Sequence, residues 1–311
     1  MPVSIVVGGQ YGDEGKGKVV NFFAQKFKVV ASVRVGYADT WHSTVDRAGN
    51  IQKFKCLPTS ALRSVMINII PSGAYIDLQM LLTEIEVAQC NNMNLMIDPY
   101  AVIIDENNNE FNSLNNLDNT YILKRMQKEK DLIFAKDIEI LKIFIKDTKR
   151  VMRRILDKRQ HILIEGTHGF GTSLLHSTMY PYCDSIETSA ASFLSDVGLS
   201  PLDVLNIIMV TRVYPINRMS EAGRNSLEIE TNVKRKIVDS EIYDEKIVKR
   251  AIQVNKPNII VVNYADYFDY NYHEVAAISD KMRVGIDKIS QLIDRKIDYI
   301  GTGKSTIIAY N

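Results

Sequence analysis

Short runs of consecutive apolar, largely β-branched residues alternate along this chain with longer stretches whose apolar positions recur at helical spacing. The runs are Val3–Val7, Val29–Val35, Val65–Ile70, Leu95–Ile104, His161–Ile164, Val204–Val213, Asn258–Val262 and Lys296–Ile300. Several are apolar throughout, as strands covered on both faces are. The helical periods between them include Asp77–Ala88, Asp137–Lys158, Ser240–Val254 and Glu274–Asp294. Such alternation predicts an α/β fold with a central, mostly parallel sheet flanked by helices. Ligands in that architecture gather at the carboxyl ends of strands, so the loops leaving the strands are where chemistry is expected. No internal repeat and no Pro/Gly/Ser-rich linker divides the chain, and residues 1–311 read as a single domain. The Asn-rich stretch Asn107–Asn119 reads as its most mobile surface loop.

The first apolar run ends in Gly8-Gly9-Gln10-Tyr11-Gly12-Asp13-Glu14-Gly15-Lys16-Gly17-Lys18, and helix-compatible sequence follows from Val19 to Lys26. Backbone N–H groups at a strand-to-helix junction point outward and favour anions. Gly12, Gly15 and Gly17 let the chain approach phosphate oxygens without an intervening Cβ, and Lys16 and Lys18 bring positive charge. Asp13 changes the picture. A carboxylate beside phosphates repels them unless it holds Mg²⁺ or takes up a proton in the reaction. The string departs from the Walker pattern G-x-x-x-x-G-K-[ST], because Val19 follows Lys18, and its bland alternative is a glycine-rich turn with solvated charges.

Composition narrows the partners. Of 311 residues, 46% are hydrophobic and 24% charged, which is ordinary for a globular chain with a sizeable core. The 38 basic residues and 37 acidic ones leave a formal net charge of +1, so no global field draws nucleic acid or an anionic membrane. Cys56, Cys90 and Cys183 are too few and too widely spaced for a disulfide framework or a zinc site, and fit a reducing compartment. With no long apolar stretch and no basic-then-apolar leader, the expectation is a cytoplasmic protein that does not span a membrane.

Other strand ends also carry polar groups. Glu165-Gly166-Thr167-His168-Gly169 follows Ile162–Ile164, and Tyr180-Pro181-Tyr182-Cys183-Asp184-Ser185 lies soon after. The run Ile259–Val262 ends in Asn263-Tyr264-Ala265-Asp266. A carboxylate there can accept from the N1–H and N2 amino group of guanine, donors that adenine lacks. Gly301-Thr302-Gly303-Lys304-Ser305-Thr306 looks like the end of a Walker loop, but Asp298 stands where its first glycine would be, so it reads as a base- or backbone-contacting turn.

The opening loop resembles the signature of adenylosuccinate synthetases, and four further segments are similar to that family in the same order. They are Arg34–Ser43 with its histidine, Leu57-Pro58-Thr59-Ser60, Glu165–Gly169 with Tyr180-Pro181-Tyr182, and Asn263–Asp266 with Ile300–Gly303. The resemblance implies that family's α/β fold, related to the P-loop NTPases. It also implies a GTP-dependent, Mg²⁺-requiring ligase that phosphorylates a purine 6-oxygen and displaces that phosphate with the amino group of aspartate. Carried over, it makes Asp13 the general base and a metal ligand, and His42 the group that neutralises charge on the departing GDP. Gly12, Gly15, Lys16, Gly17 and Lys18 would hold phosphates, Asp266 would read guanine, and Gly301, Thr302 and Gly303 would line the base. His168, Ser185, Thr188 and Ser189 would line the acceptor, with Thr231 and Arg235 near the amino acid. Family members work as homodimers, so a homodimer is expected.

Departures from the family pattern fall mostly on the acceptor side. Trp41 precedes His42 where the family has a metal-binding glycine, and Asp39 is the expected substitute ligand. His168 replaces a glutamine, and the Ile-Gly-Thr-Thr-Gly segment that holds the substrate's 5′-phosphate has no counterpart. The expected partners are therefore GTP (alternatively ATP or dATP), L-aspartate and a purine nucleoside monophosphate that need not be IMP. Two alternatives stand beside this reading. Cys183 and Phe193-Leu194-Ser195-Asp196 are similar to the viral 2-aminoadenylosuccinate synthetases, which act on dGMP; and loss of acceptor residues fits a non-catalytic GTP-binding regulator.

Overall fold

A computed structural model of the chain describes residues 2–37, 40–46, 48–63, 66–104, 117–178, 180–181, 183–184, 186–213 and 243–310, the side chains of 117–120 excepted. Its strands are β1 (Val3–Gly8), β2 (Ala31–Arg34), β3 (His42–Val45), β4 (Ile51–Phe54), β5 (Ile67–Ile70), β6 (Tyr75–Asp77) and β7 (Leu95–Ile97). They continue with β8 (Val102–Ile104), β9 (Ile162–Glu165), β10 (Val204–Arg212), β11 (Ile259–Asn263), β12 (Tyr299–Thr302) and β13 (Thr306–Ala309). The α-helices are α1 (Lys16–Lys26), α2 (Leu78–Val87), α3 (Leu117–Met126), α4 (Thr148–Asp157), α5 (Ala190–Val197), α6 (Glu245–Asn255) and α7 (Asp280–Ile293).

Nine of these strands form one sheet in the order β13-β12-β11-β10-β1-β9-β2-β5-β7, parallel throughout except where β13 returns antiparallel beside β12. The expected mostly parallel sheet is thus present. β1 lies near its middle and is buried on both faces, which explains its unbroken apolar character. Val3, Ile5 and Val7 point into a core shared with Met152 of α4, Phe193 of α5, Ile247 of α6 and Ile286 of α7. Val6 points the other way, toward Val19, Val20 and Phe23 of α1. Asp77, Asp147, Ser189, Asp244 and Ser279 cap α2, α4, α5, α6 and α7, each accepting from a first-turn amide.

The structure corrects several element boundaries. Leu95–Ile104 is two strands: Pro99 has no N–H for a ladder, and Asp98 Oδ1 turns the chain by accepting from the Tyr100 amide at 3.1 Å. Beyond that turn β8 leaves the main sheet and pairs with β6. The period Asp137–Lys158 is likewise split into a 3-10 segment, Glu139–Phe144, and α4. Only α7 is helical within Glu274–Asp294, because the Glu274 carboxylate instead holds the turn after β12, accepting from the amides of Lys304 and Ser305. The hairpin β3–β4 and the edge strand β13 lack a long apolar run and were not expected. Of the Asn-rich stretch, residues 107–116 lie outside the described residues and 117–119 open α3. Among the described residues no helix is long and apolar enough to cross a membrane.

One packing detail has a pH signature. Ser4 Oγ on β1 accepts from Asn206 Nδ2 at 3.0 Å, so its own hydrogen is left for His161 Nε2, 2.8 Å away. That arrangement needs a neutral imidazole, which also stacks on Phe27 with centroids 5.1 Å apart. Burial pushes the His161 pKa down from 6.5 to about 4. A group held neutral in the fold stabilises fully above its unfolded pKa and loses that contribution as pH falls toward its folded pKa. Urea unfolding midpoints are expected to drop between about pH 6.5 and pH 4. A His161→Gln variant is expected to show a flatter dependence in the same titration.

Candidate active site

The loop between β1 and α1 is organised around a carboxylate. Glu14 is wholly buried, and its Oε1 accepts from the amides of Gln10 at 3.0 Å and Gly12 at 2.9 Å. Its Oε2 takes a hydrogen bond from Lys16 Nζ at 2.9 Å, and the same ammonium donates to the His168 carbonyl. The chain is thereby curled so that α1 begins at Gly15, in the left-handed region at φ 80°, with no side chain capping the helix. Its first-turn amides are left for an anion. Gly17 is required sterically, because a Cβ there would stand 2.3 Å from the Ser43 carbonyl oxygen on β3.

Lys16 and Lys18 both line the cleft, yet each ammonium already has protein partners. Lys18 Nζ donates to the Gly303 carbonyl at 3.0 Å and lies 5.1 Å from the centre of the Tyr264 ring. Burial pushes its pKa down to about 8, against the charges of Asp266 and Glu274. Lys18 therefore ties the loop between β1 and α1 to the turn after β12.

His42 opens β3 and is 5% exposed. Its Nδ1 lies 2.6 Å from Oε1 of Glu165, the last residue of β9, while Glu165 Oε2 accepts from the amide and hydroxyl of Thr59 at 2.8 and 3.0 Å. Burial, followed by the Arg34 charge, pushes the His42 pKa down. The ring is neutral and donates Nδ1–H to the carboxylate. Its buried Nε2 has no hydrogen-bond partner among the described residues, and His42 lines the cleft. Asp13 stands exposed on the same cleft with φ 57°, its carbonyl accepting from Arg212 Nη1 at 3.2 Å.

These groups surround a cleft of about 790 Å³ at the carboxyl ends of the strands. At its far end Asp266, 6% exposed, accepts from the Gly303 amide at 3.1 Å. Tyr264, Tyr267, Tyr270 and His273 complete that end. His168 also lines the cleft, with Nδ1 3.2 Å from Asp184 Oδ2 and Nε2 3.3 Å from Thr40 Oγ1. A second cavity of about 340 Å³ is lined by Tyr37, Tyr75, Arg125, Glu187 and Asp196, where burial, opposed by Arg125, pushes the Asp196 pKa up to about 7.

The donor set fits Mg²⁺. Among the described residues no three His, Cys, Asp or Glu side chains cluster to cage a metal. Mg²⁺ does not require a cage, since it keeps several waters and binds through one or two carboxylates plus substrate phosphates. Asp13, exposed beside the uncapped start of α1, supplies such a carboxylate.

The family model for adenylosuccinate synthetase matches residues 5–120 and 101–270. The chain belongs to the adenylosuccinate synthetase family. It is a ligase that forms a C–N bond, joining aspartate to a purine nucleotide with GTP as the driving nucleotide. The adenylosuccinate synthetase of Methanocaldococcus jannaschii is 29% identical over 336 aligned residues, covering 96% of this chain and 94% of that one. That of Pyrococcus horikoshii is 26% identical, with 97% and 96% covered. In fold, the fully ligated adenylosuccinate synthetase of Plasmodium falciparum superposes with a TM-score of 0.76 at 14% identity, over 100% of both chains. The succinoaminodeoxyadenylate synthetase of cyanophage S-2L, bound to dGMP and to dATP as an energy donor, gives 0.75 at 17% identity, over 99% of this chain and 95% of that one. The dGMP-ligase and regulatory alternatives are not favoured.

Within this adenylosuccinate synthetase framework the fold brings Gly12, Asp13, Gly15, Lys16, Gly17, Lys18, His42, His168, Asp266 and Gly303 to one cleft. Thr302 is buried and its hydroxyl donates to the Val275 carbonyl at 3.3 Å, while a Cβ on Gly301 would meet Asn263 Oδ1 and Lys18 Nζ; both shape the turn from behind. Thr188 and Ser189 are buried, the first donating to the Gly169 carbonyl at 3.0 Å and the second capping α5, so they brace the loop after β9 and do not themselves line the cleft. Asp39, Ser185, Thr231 and Arg235 lie outside the described residues. Sequence reasoning did not single out Glu14, Arg212 or His273. For Glu14 a signal existed, an acid two residues before Lys16 within a glycine-rich loop.

Proposed function

We propose that the chain uses GTP to phosphorylate the 6-oxo group of a purine nucleoside monophosphate and then lets the amino group of L-aspartate displace that phosphate. The observation that carries this reading is the meeting, in one cleft, of an uncapped helix start, an exposed Asp13 and the His42 Nε2 that has no partner among the described residues. Binding GTP alone calls for the first of these and not for the other two. Asp13 removes the purine N1 proton, which makes O6 nucleophilic. The Gly15–Gly17 amides hold the polyphosphate. With Nδ1–H fixed on Glu165, Nε2 of His42 faces the cleft, and the negative charge of the polyphosphate favours a proton there. That Nε2–H stabilises the charge gathering on the leaving GDP. Asp266 selects the base of the donor, and His168 borders the purine being modified. Mg²⁺ bound at Asp13 and the phosphates would neutralise phosphate charge.

A homodimer in the cytoplasm belongs to the same reading, supported by the family and by three free cysteines. A single domain over 1–311 is supported by the one sheet whose strands run from Val3 to Ala309. The test is phosphate release from GTP, and separately ATP, with Mg²⁺ and aspartate. It is run across IMP, dIMP, GMP, dGMP and the matching nucleosides, with products identified by mass. Release that depends on one acceptor, yields a succinylated purine and falls about 10²- to 10⁴-fold in Asp13→Ala is expected. Phosphate release indifferent to every acceptor would overturn the reading.

A further inference from the structure

The Asp266 carboxylate is approached by two protein donors. Oδ1 accepts from the Gly303 amide at 3.1 Å, and Oδ2 lies 2.6 Å from Nδ1 of His273. These partners differ in kind. Gly303 offers a backbone N–H, whereas His273 is a side chain that itself lines the cleft. Its ring is held in place by Tyr270, stacked on it with centroids 5.0 Å apart and planes 23° apart. Because Asp266 is only 6% exposed, an imidazole standing against Oδ2 decides how much of that oxygen a ligand can reach.

Guanine presents N1–H and the N2 amino group side by side, and reading both takes one acceptor oxygen for each. A short bond from an imidazole to a carboxylate is of the strong, charge-assisted kind. We propose that His273 competes with the guanine N2 amino group for Asp266 Oδ2, so that the donor site is read chiefly through N1–H and scarcely distinguishes guanine from hypoxanthine. This rests on the reading that Asp266 faces the donor base. His273 is then a specificity-setting residue and takes no part in the chemical step. Hydrogen bonds to charged acceptors are worth roughly tenfold or more in affinity, so the effect is measurable.

The experiment measures dissociation constants of GTP, ITP and XTP for the whole chain with Mg²⁺, by calorimetry, and needs no acceptor. ITP differs from GTP only in lacking the N2 amino group. The unmodified chain is expected to bind GTP and ITP within about threefold of each other. His273→Ala and His273→Phe are both expected to favour GTP over ITP by about tenfold. The phenylalanine variant keeps a ring on Tyr270, which separates loss of the Nδ1–H from loss of local order. A tenfold GTP preference already present in the unmodified chain, or an unchanged ratio in both variants, overturns the proposal. Asp266→Asn tests the underlying reading separately. An asparagine amide complements the 2-oxo group of xanthine, so a shift toward XTP supports Asp266 as the base reader, and no shift places the failure there and not in His273.

Discussion

His42→Ala is expected to lower kcat by about 10²- to 10³-fold while leaving the GTP dissociation constant within a few-fold. The expectation follows from where Nε2 stands within the protein. It is buried, it has no partner among the described residues, and the opposite ring nitrogen is fixed on Glu165 at 2.6 Å. A group so oriented makes its best interaction only when charge develops in front of it, and such interactions raise kcat without tightening ground-state binding. Glu165→Gln supplies the control. Burial works against the charge on Glu165, but the His42 hydrogen bond, the Arg34 charge and the Thr59 amide outweigh it and hold the carboxyl below its usual range. A glutamine can face His42 with its oxygen only by turning its NH₂ toward the Thr59 amide, donor against donor. An intermediate loss of kcat is expected, measured by steady-state phosphate release. If His42→Ala instead weakened GTP binding tenfold with kcat intact, the ring would be a ground-state phosphate ligand.

The second large effect is on stability. Glu14→Ala is expected to cost on the order of 3–5 kcal/mol, read as a lower urea midpoint, because it strands a buried cation together with the buried Gln10 amide and the half-buried Gly12 amide. Lys16 is 5% exposed and would lose its carboxylate while keeping, among the described residues, the His168 carbonyl. Glu14→Gln retains one oxygen for the Gln10 and Gly12 amides but offers Lys16 an NH₂, so a smaller loss is expected. A neutral outcome for Glu14→Ala would mean that the loop curls without the carboxylate and that Gly15 alone sets the start of α1.

The parts of this site that lie within one loop were legible in the sequence, because a strand-to-helix junction is a local pattern. Asp13 and the glycines fall where the apolar run Val3–Val7 gives way to the helical period of α1. His42 and Glu165 are 123 residues apart, and nothing in either segment announces that they meet. Their pairing depends on β9 lying between β1 and β2, a strand order that periodicity does not encode. The lysines were legible as charges but not as partners. Proximity to a glycine loop directed both toward phosphate, whereas Glu14 and the Gly303 carbonyl already engage them. Asp266 and His273 are seven residues apart with the 3-10 turn Tyr270–Tyr272 between, and short irregular segments carry no period from which such a contact can be read. The central strands β1 and β11, by contrast, were legible to within a residue, since burial on both faces demands continuous apolar character.

The strand order also bears on how the molecule is made. β1 is flanked by β9 and β10, residues 162–165 and 204–212, and by no strand close to it in sequence. During synthesis its six residues leave the ribosome with both edges unpaired; one edge waits for β9 at residues 162–165 and the other for β10 at residues 204–212. A strand of Val and Ile waiting that long is a template for wrong pairing, and long-range parallel pairing is inherently slow. The early helix α1 offers an apolar shelter for one face of β1 through Val19, Val20 and Phe23, and the loop that joins the two is the one proposed to hold phosphate. The segment central to the chemistry is also the first to need protection on the way to the folded state.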